Sequence, residues 1–302
     1  MNSGEDLFHP SSFDLHPSLR LLARGNAIDF PRRPLVMGIL NLGADSFSGD
    51  GIIDLEAAVE RGRQIVAAGA DILDVGAESA RTNRAAISEQ EEIDQLGGFI
   101  RIWRKQEASR SALLSINTWR PAVVRAVLAE GGDILNDIGA LPTDENARIC
   151  AEFGAALLIM HSKGAPKIAH THIQYADVLE EMDRFFGEKI QLAIDAGLPK
   201  ELIILDPGID FAKQRADNLR IYHQLGRLHK FGRPILLPVS RKTVIGEVLA
   251  IKEPSERDAG TVACIAAGMN RGASIFRVHN VEAALQSIKM LWAMSCSGGP
   301  PV

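Results

Sequence analysis

Several short segments of this 302-residue chain place a polar residue directly after an apolar run: Asn41 in MGILN, Asn117 in LLSIN, Asn136 in DILND and Asp206 in LIILD. Two others deliver cations, Lys242 in PVSRK and Arg277 in SIFRVHN, the latter followed closely by His279. Lysine and arginine do not cap helix N-termini, so two of them beside a histidine point to an anionic ligand, which an ammonium or a guanidinium holds well. Asp74, Thr118 and Ser88 stand where ordinary helix N-caps would stand. Asp206 before Pro-Gly also fits a turn-initiating aspartate, Asn41 a turn cap, and Met160 at the end of AALLIM plain core.

These residues need elements to aim them. The apolar runs recur at intervals, each followed by a stretch with helical spacing, and that alternation predicts parallel βαβ units. Eight strands are expected, at 35–41, 71–76, 112–117, 133–137, 155–161, 202–206, 235–239 and 274–278. The helices fall at 55–68, 88–105, 120–129, 145–153, 175–196, 216–228, 257–271 and 281–294. The strands are apolar without two-residue alternation, as strands buried on both faces should be. Glycine stands just before several of them (AAGAD, EGGD, RGA), suiting a helix C-cap at the bottom of the fold. Upstream, SLRLLARGNAIDFPRRP reads as strand, Gly-Asn turn, strand. The expected fold is α/β, a single (β/α)8 TIM barrel spanning 1–302, with 1–34 as an N-terminal β-hairpin extension over the floor and 295–302 as a flexible tail. An open doubly wound sheet is the alternative; eight βα units with no GxGxxG after the first strand favour closure. In such a barrel, chemistry sits at the C-terminal strand ends, where all the residues above lie.

Composition narrows the partners. With 46% hydrophobic and 24% charged residues the chain can bury a large core, and a net charge of -5 argues against general nucleic-acid binding. No apolar run reaches the length needed to span a bilayer, and the acidic, polar start lacks the order of a secretory signal, so a cytoplasmic protein without membrane contact is expected. Cys150, Cys264 and Cys296 are odd in number and widely spaced, and read as reduced thiols.

The segments MGILNLGADSFSGDG, GADILDVGAESAR, LSINTWRPAVVRAVLAEGGDILNDI, LLIMH, ILDPGIDFAK, PVSRKTVIGE and RGASIFRVHNV, in this order, resemble the dihydropteroate synthase family from about Leu35 to Met294. The resemblance implies a transferase of folate biosynthesis that joins 6-hydroxymethyl-7,8-dihydropterin pyrophosphate to 4-aminobenzoate and releases pyrophosphate. It implies that Asn117, Asn136, Asp206, Met160 and Lys242 hold the pterin, and that Asn41, Arg277 and His279 take the pyrophosphate, with Asn41 a ligand of Mg²⁺. Lys242, Asp206 and Arg277 would be the catalytic set. The arylamine would lie among Asp45, Ser46, Phe47, Ser48, Ser79, Arg81 and Thr243, and the protein would be a homodimer through its last helices.

The chain departs from the family pattern in places. Asn117 stands where an aspartate is usual, and a neutral amide supplies no charge to offset a cationic pterin. LGADSFS replaces a Thr-Pro before DSFS, GAESARTN replaces GGESTRPG, Thr243 replaces serine, and RVHN replaces RVHD. The pterin floor is thus nearly intact while the arylamine loops differ. Alternatives are a related pterin transferase using another arylamine, as in methanopterin-type synthesis, and a pterin-binding methyltransferase or non-catalytic homologue. Methyl transfer leaves no pyrophosphate for Arg277 and His279 to hold. A zinc hydrolase using His161, His170 and His172 is a third, and HSKGAPKIAHTH lacks the carboxylate-supported ligand pattern such a site needs.

Overall fold

A computed structural model describes residues 18–43, 54–78, 86–164, 166–168 and 172–295. Two antiparallel strands come first, β1 (Leu19–Ala23) and β2 (Asn26–Phe30). Eight parallel strands follow: β3 (Leu35–Asn41), β4 (Ile72–Gly76), β5 (Leu113–Asn117), β6 (Ile134–Asp137), β7 (Ala156–Met160), β8 (Ile203–Asp206), β9 (Leu236–Pro238) and β10 (Ile275–Val278). They pair in the order β8-β7-β6-β5-β4-β3-β10-β9. A parallel bridge from Leu205 to Ile235 joins the ends, so the sheet closes into a (β/α)8 barrel.

Alternation along each strand separates two cores. One face of the strands packs inward with Leu35, Met37, Ile72, Ile134, Ala156, Leu158, Met160, Ile204, Leu236 and Ile275. The other face packs on the helices through a larger cluster that includes Val36, Leu73, Leu114, Leu135 and Leu157. Both faces are apolar, which explains why the sequence shows no two-residue hydrophobic alternation. Leu21, Ala23 and Phe30 of the hairpin belong to the interior cluster, so the hairpin plugs the floor. Two hydrogen bonds to main-chain carbonyls anchor it there, Arg24 N–H to the Gly154 carbonyl at 2.7 Å and the Arg233 guanidinium to the Arg20 carbonyl at 2.9 Å. Its turn is Arg24-Gly25, one residue earlier than the expected Gly-Asn, because both turn residues take positive φ (48° and 81°) and Asn26 already pairs with Ala23.

The helices are α1 (Leu55–Ala67), α2 (Glu89–Trp103), α3 (Pro121–Ala129), α4 (Glu145–Phe153), α5 (Val178–Asp195), α6 (Arg215–His223), α7 (Thr243–Leu249), α8 (Asp258–Met269) and α9 (Val281–Ser295). Side-chain oxygens cap α1, α2, α5 and α9: Asp54 accepts from Ala57 N–H, Ser88 from Glu91 N–H, Asp177 from Leu179 and Glu180 N–H, and Asn280 from Ala283 N–H. The expected helix 216–228 breaks at Gln224 into α6 and a 3-10 stretch, Leu225–Phe231. Helix α7 was not anticipated. It is short, ends at Ala250 in the left-handed region (φ 56°), and its first N–H groups are received by Asp210 of a different loop: Thr243 at 2.5 Å, Val244 at 3.3 Å. Ser295, expected in the tail, is the last residue of α9. Among the described residues no helix is long and apolar enough to cross a membrane.

Candidate active site

At its upper end the barrel interior turns polar. Asp74 lies two residues beyond Ile72 on β4, and so on the same face, with no solvent exposure. Its carboxylate accepts from Ser115 Oγ at 2.6 Å, from Asn136 Nδ2 at 3.2 Å to each oxygen, and from Arg277 Nε at 2.8 Å. A single buried acid thereby ties β4, β5, β6 and β10 together, with Arg277 as its counter-ion. Asp74 therefore caps no helix, contrary to the expectation from its place before a loop. The available signal was an acid at the third position of an otherwise apolar strand.

Asn41, Gly76, Asn117 and Asn136 stand side by side in register across β3 to β6. Asn41 is exposed at the mouth. The amide oxygen of Asn117 is buried without a hydrogen-bond partner among the described residues, an acceptor waiting for a donor. A side chain at Gly76 would sit 3.3 Å from Asn117 Cβ, so glycine leaves this part of the interior open.

Across the barrel, Met160 pairs in register with Asp206, and both are buried. Burial pushes the Asp206 carboxyl up to about 6, against the Gly208 N–H, which bonds Oδ1 at 2.6 Å, and against the charges of Lys242, Lys213 and Arg277, which hold it down. Lys242 stands just before α7. Its Nζ bonds the Ile209 carbonyl at 2.8 Å and lies 5.1 Å from the centre of the Phe211 ring, which brings it onto the turn that follows Asp206.

Ser240 and His279 form a pair just beyond the ends of β9 and β10. Ser240 Oγ accepts the His279 N–H at 3.1 Å and lies 2.8 Å from Nδ1. Arg241 and Asn280, at the same rim, are both held by Asp258 of α8. Thr243, expected beside the arylamine, is the first residue of α7 and is exposed. Asp45, Ser46, Phe47, Ser48, Ser79, Arg81 and His170 lie outside the described residues.

His161 faces away from the mouth. It is fully buried, 4.9 Å from Phe185 in an edge-on contact and 6.0 Å from Tyr175, and burial lowers its pKa to about 2. Enclosure of the ring by Tyr175, Phe185 and Phe186 is what leaves the zinc reading without its first ligand. A cavity of about 600 Å³ opens at the floor and contains none of these rim residues. Two of its arginines serve neighbouring groups, Arg227 pairing with Asp183 and Arg271 bonding the His223 and Ala267 carbonyls at the ends of α6 and α8. Cations at helix C-termini need no ligand to explain them.

A closed barrel with amides, a carboxylate and two cations converging on its C-terminal mouth defines a class, and residues 37–279 match the family described as pterin binding enzyme. The chain is 36% identical over 276 residues to the dihydropteroate synthase of Escherichia coli K12, covering 91% of this chain and 96% of that one. With a folate synthesis bifunctional protein of Arabidopsis thaliana it shares 36% identity over 279 residues; the match covers 88% of this chain and only 58% of the longer relative. The solved structure of Xanthomonas albilineans dihydropteroate synthase with 4-aminobenzoic acid superposes with a TM-score of 0.84 at 36% identity, covering 93% of this chain and 99% of that one. This chain belongs to the dihydropteroate synthase family.

Proposed function

We propose that this protein condenses 6-hydroxymethyl-7,8-dihydropterin pyrophosphate with 4-aminobenzoate to give 7,8-dihydropteroate and pyrophosphate. The observation that carries the proposal is the ring of interior groups: Asp74 linked to Asn136 and Arg277, facing the Asp206 carboxylate and the Lys242 ammonium. A pterin presents adjacent donors on its amino-pyrimidine edge, which a carboxylate and an amide oxygen can receive together. In this reading Asp206 and Asn136 receive that edge, Lys242 meets a ring carbonyl or nitrogen, and Met160 packs on the ring face. Arg277 would supply positive charge and His279 a ring nitrogen at the rim where the pyrophosphate would leave.

The chemistry requires no side-chain nucleophile. The bond from the pterin methylene carbon to the pyrophosphate oxygen breaks with both electrons going to the pyrophosphate; the amine lone pair forms the new C–N bond, and the amine then loses a proton. These residues hold the ring, orient its methylene toward the amine and stabilise the departing charge. Mg²⁺ suits the same end of the site. Asn41 offers one hard, solvent-facing oxygen, and an ion that usually takes one or two protein ligands plus phosphate oxygens and water fits such a donor. It would add charge neutralisation at the pyrophosphate. We assign the arylamine to the segments that contain Asp45, Ser46, Phe47, Ser48, Ser79 and Arg81, and to Thr243.

The protein would work in the cytoplasm, in keeping with the free thiols Cys150 and Cys264. It would pair with a second copy through its last helices, where Met290 and Met294 of α9 and Val248 and Leu249 of α7 are exposed. The test is pyrophosphate release from the dihydropterin substrate with Mg²⁺ and a panel of anilines. Release with 4-aminobenzoate is expected. Release with a different arylamine alone would move the protein to another pterin transferase, and none with any amine would sink the reading.

A further inference from the structure

Lys213 is the buried cation that this mechanism leaves unused. Only 9% of the residue is exposed, and its Nζ donates to three main-chain carbonyls at once: His161 at 3.0 Å, Gly208 at 2.9 Å and Phe211 at 3.0 Å. Three acceptors match the three hydrogens of an ammonium. A neutral amine would have only two, and would turn its lone pair toward the third carbonyl. Burial pushes this amine down to about 7, while Asp206, Asp217 and Asp210 hold it up and Lys242 works against it. The donor geometry therefore favours the charged form that burial alone disfavours.

The three carbonyls belong to two different places. His161 ends the β7 segment directly after Met160, whereas Gly208 and Phe211 belong to the turn that carries Asp206. The two approach closely, since a Cβ built on Gly208 (φ 66°) would stand 2.0 Å from the His161 carbonyl oxygen. Three carbonyl oxygens gathered within 3.0 Å of one Nζ would repel one another without it, and the ammonium between them removes the repulsion. On its far side the same turn bonds Lys242 through the Ile209 carbonyl, and its Gly208 N–H bonds Asp206.

We propose that Lys213 is a positioning residue for this site: its ammonium locks the 206–211 turn against the end of β7 and so fixes the place where the Asp206 carboxylate meets the ligand. The proposal rests on the pterin reading of Asp206. Lys213 does not touch the ligand and acts through two neighbours, the turn and the carboxylate. Its charge also favours the ionised form of Asp206, together with Lys242 and Arg277. Removing that charge raises the pKa of Asp206 above its present value, so the carboxylate protonates at higher pH.

The experiment is a fluorescence titration with a free pterin from about pH 5 to about pH 8, run on the full chain and on Lys213→Met, Lys213→Arg and Asp206→Asn, with a thermal melt of each. Lys213→Met is expected to weaken pterin binding by about 10- to 100-fold, the usual effect of losing a residue that orients a ligand-binding group. It is also expected to move the acid limb of binding upward by about one pH unit, with Lys213→Arg restoring much of both. If Lys213→Met does not fold, Lys213→Gln, which keeps two N–H donors without charge, serves instead. A folded variant that melts earlier yet binds pterin with unchanged affinity and an unchanged acid limb would make Lys213 a structural brace only, and would overturn the proposal. If Asp206→Asn also binds like the parent, the reading of Asp206 fails first; if Asp206→Asn alone loses binding, only the role of Lys213 fails.

Discussion

Ile72 and Asp74 sit two residues apart on one strand and face the same barrel interior, yet one belongs to a dry plug and the other to a hydrogen-bonded ring. The same step occurs on β6 from Ile134 to Asn136, on β8 from Ile204 to Asp206, and on β10 from Ile275 to Arg277. The lower half of the interior is filled by side chains and sealed by Leu21, Ala23 and Phe30 of the hairpin. The upper half keeps polar groups, and one carboxylate stitches four strands. A barrel can thus anchor charged groups in its interior because the layer below is rigid and excludes water.

Substitution at the two ends should separate binding from folding. Asp206→Asn is expected to lower kcat/KM by about 100-fold in the pyrophosphate-release assay, roughly the worth of a charge-assisted hydrogen-bond pair, with little change in melting. Comparable losses in both quantities would show that the ends are not independent. At the floor, Leu21→Ala should cost about 3 kcal/mol in denaturant unfolding through the cavity it leaves, while kcat/KM in the folded fraction stays within about twofold. An activity loss as large as that of Asp206→Asn would break the division.

A titration sharpens the contrast. Asp206 and Asp137 are both fully buried and both held at about 6, chiefly by burial, but Asp206 faces the mouth, whereas Asp137 faces the helices, receiving bonds from Gly139 N–H and Asn146 Nδ2. Pterin affinity should fall about tenfold for each unit of pH below about 6, as the Asp206 carboxylate gains its proton. That limb should vanish in Asp206→Asn and persist in Asp137→Asn. For stability the sign is the opposite. Both carboxyls keep protons in the fold up to about 6 that the unfolded chain releases near its ordinary value of 3.8, so this pair makes the fold less stable as pH rises through that window. The smallest effect is expected at the departure from the family pattern. Asn117→Asp should raise turnover with 4-aminobenzoate by about threefold to tenfold, by placing a negative charge beside the cationic pterin; an unchanged or lower rate would refute that account.

Local patterns carried much of the fold. The apolar runs followed by helical spacing placed all eight barrel strands to within one or two residues, because each run is fixed by its own burial on two faces. Some helix starts rest on caps inside their own segment, as at Asp54, Ser88 and Asp177, and Ser88 was visible as such in the sequence. The cations, Asp206 and the asparagines were visible because polar residues that end apolar strands are costly unless something uses them. Tertiary structure decided what depended on distant partners. Helix α7 is capped by Asp210, thirty-odd residues upstream of Thr243, a bond that no local propensity can anticipate. Asp74 became the centre of a four-strand network only when Arg277, two hundred and three positions away, closed onto it. Lys213 found three carbonyls only once β7 and the turn after β8 were pressed together. Burial patterns are written along the chain; which orphaned charges and donors satisfy one another is set when closure of the barrel brings its first and last strands side by side.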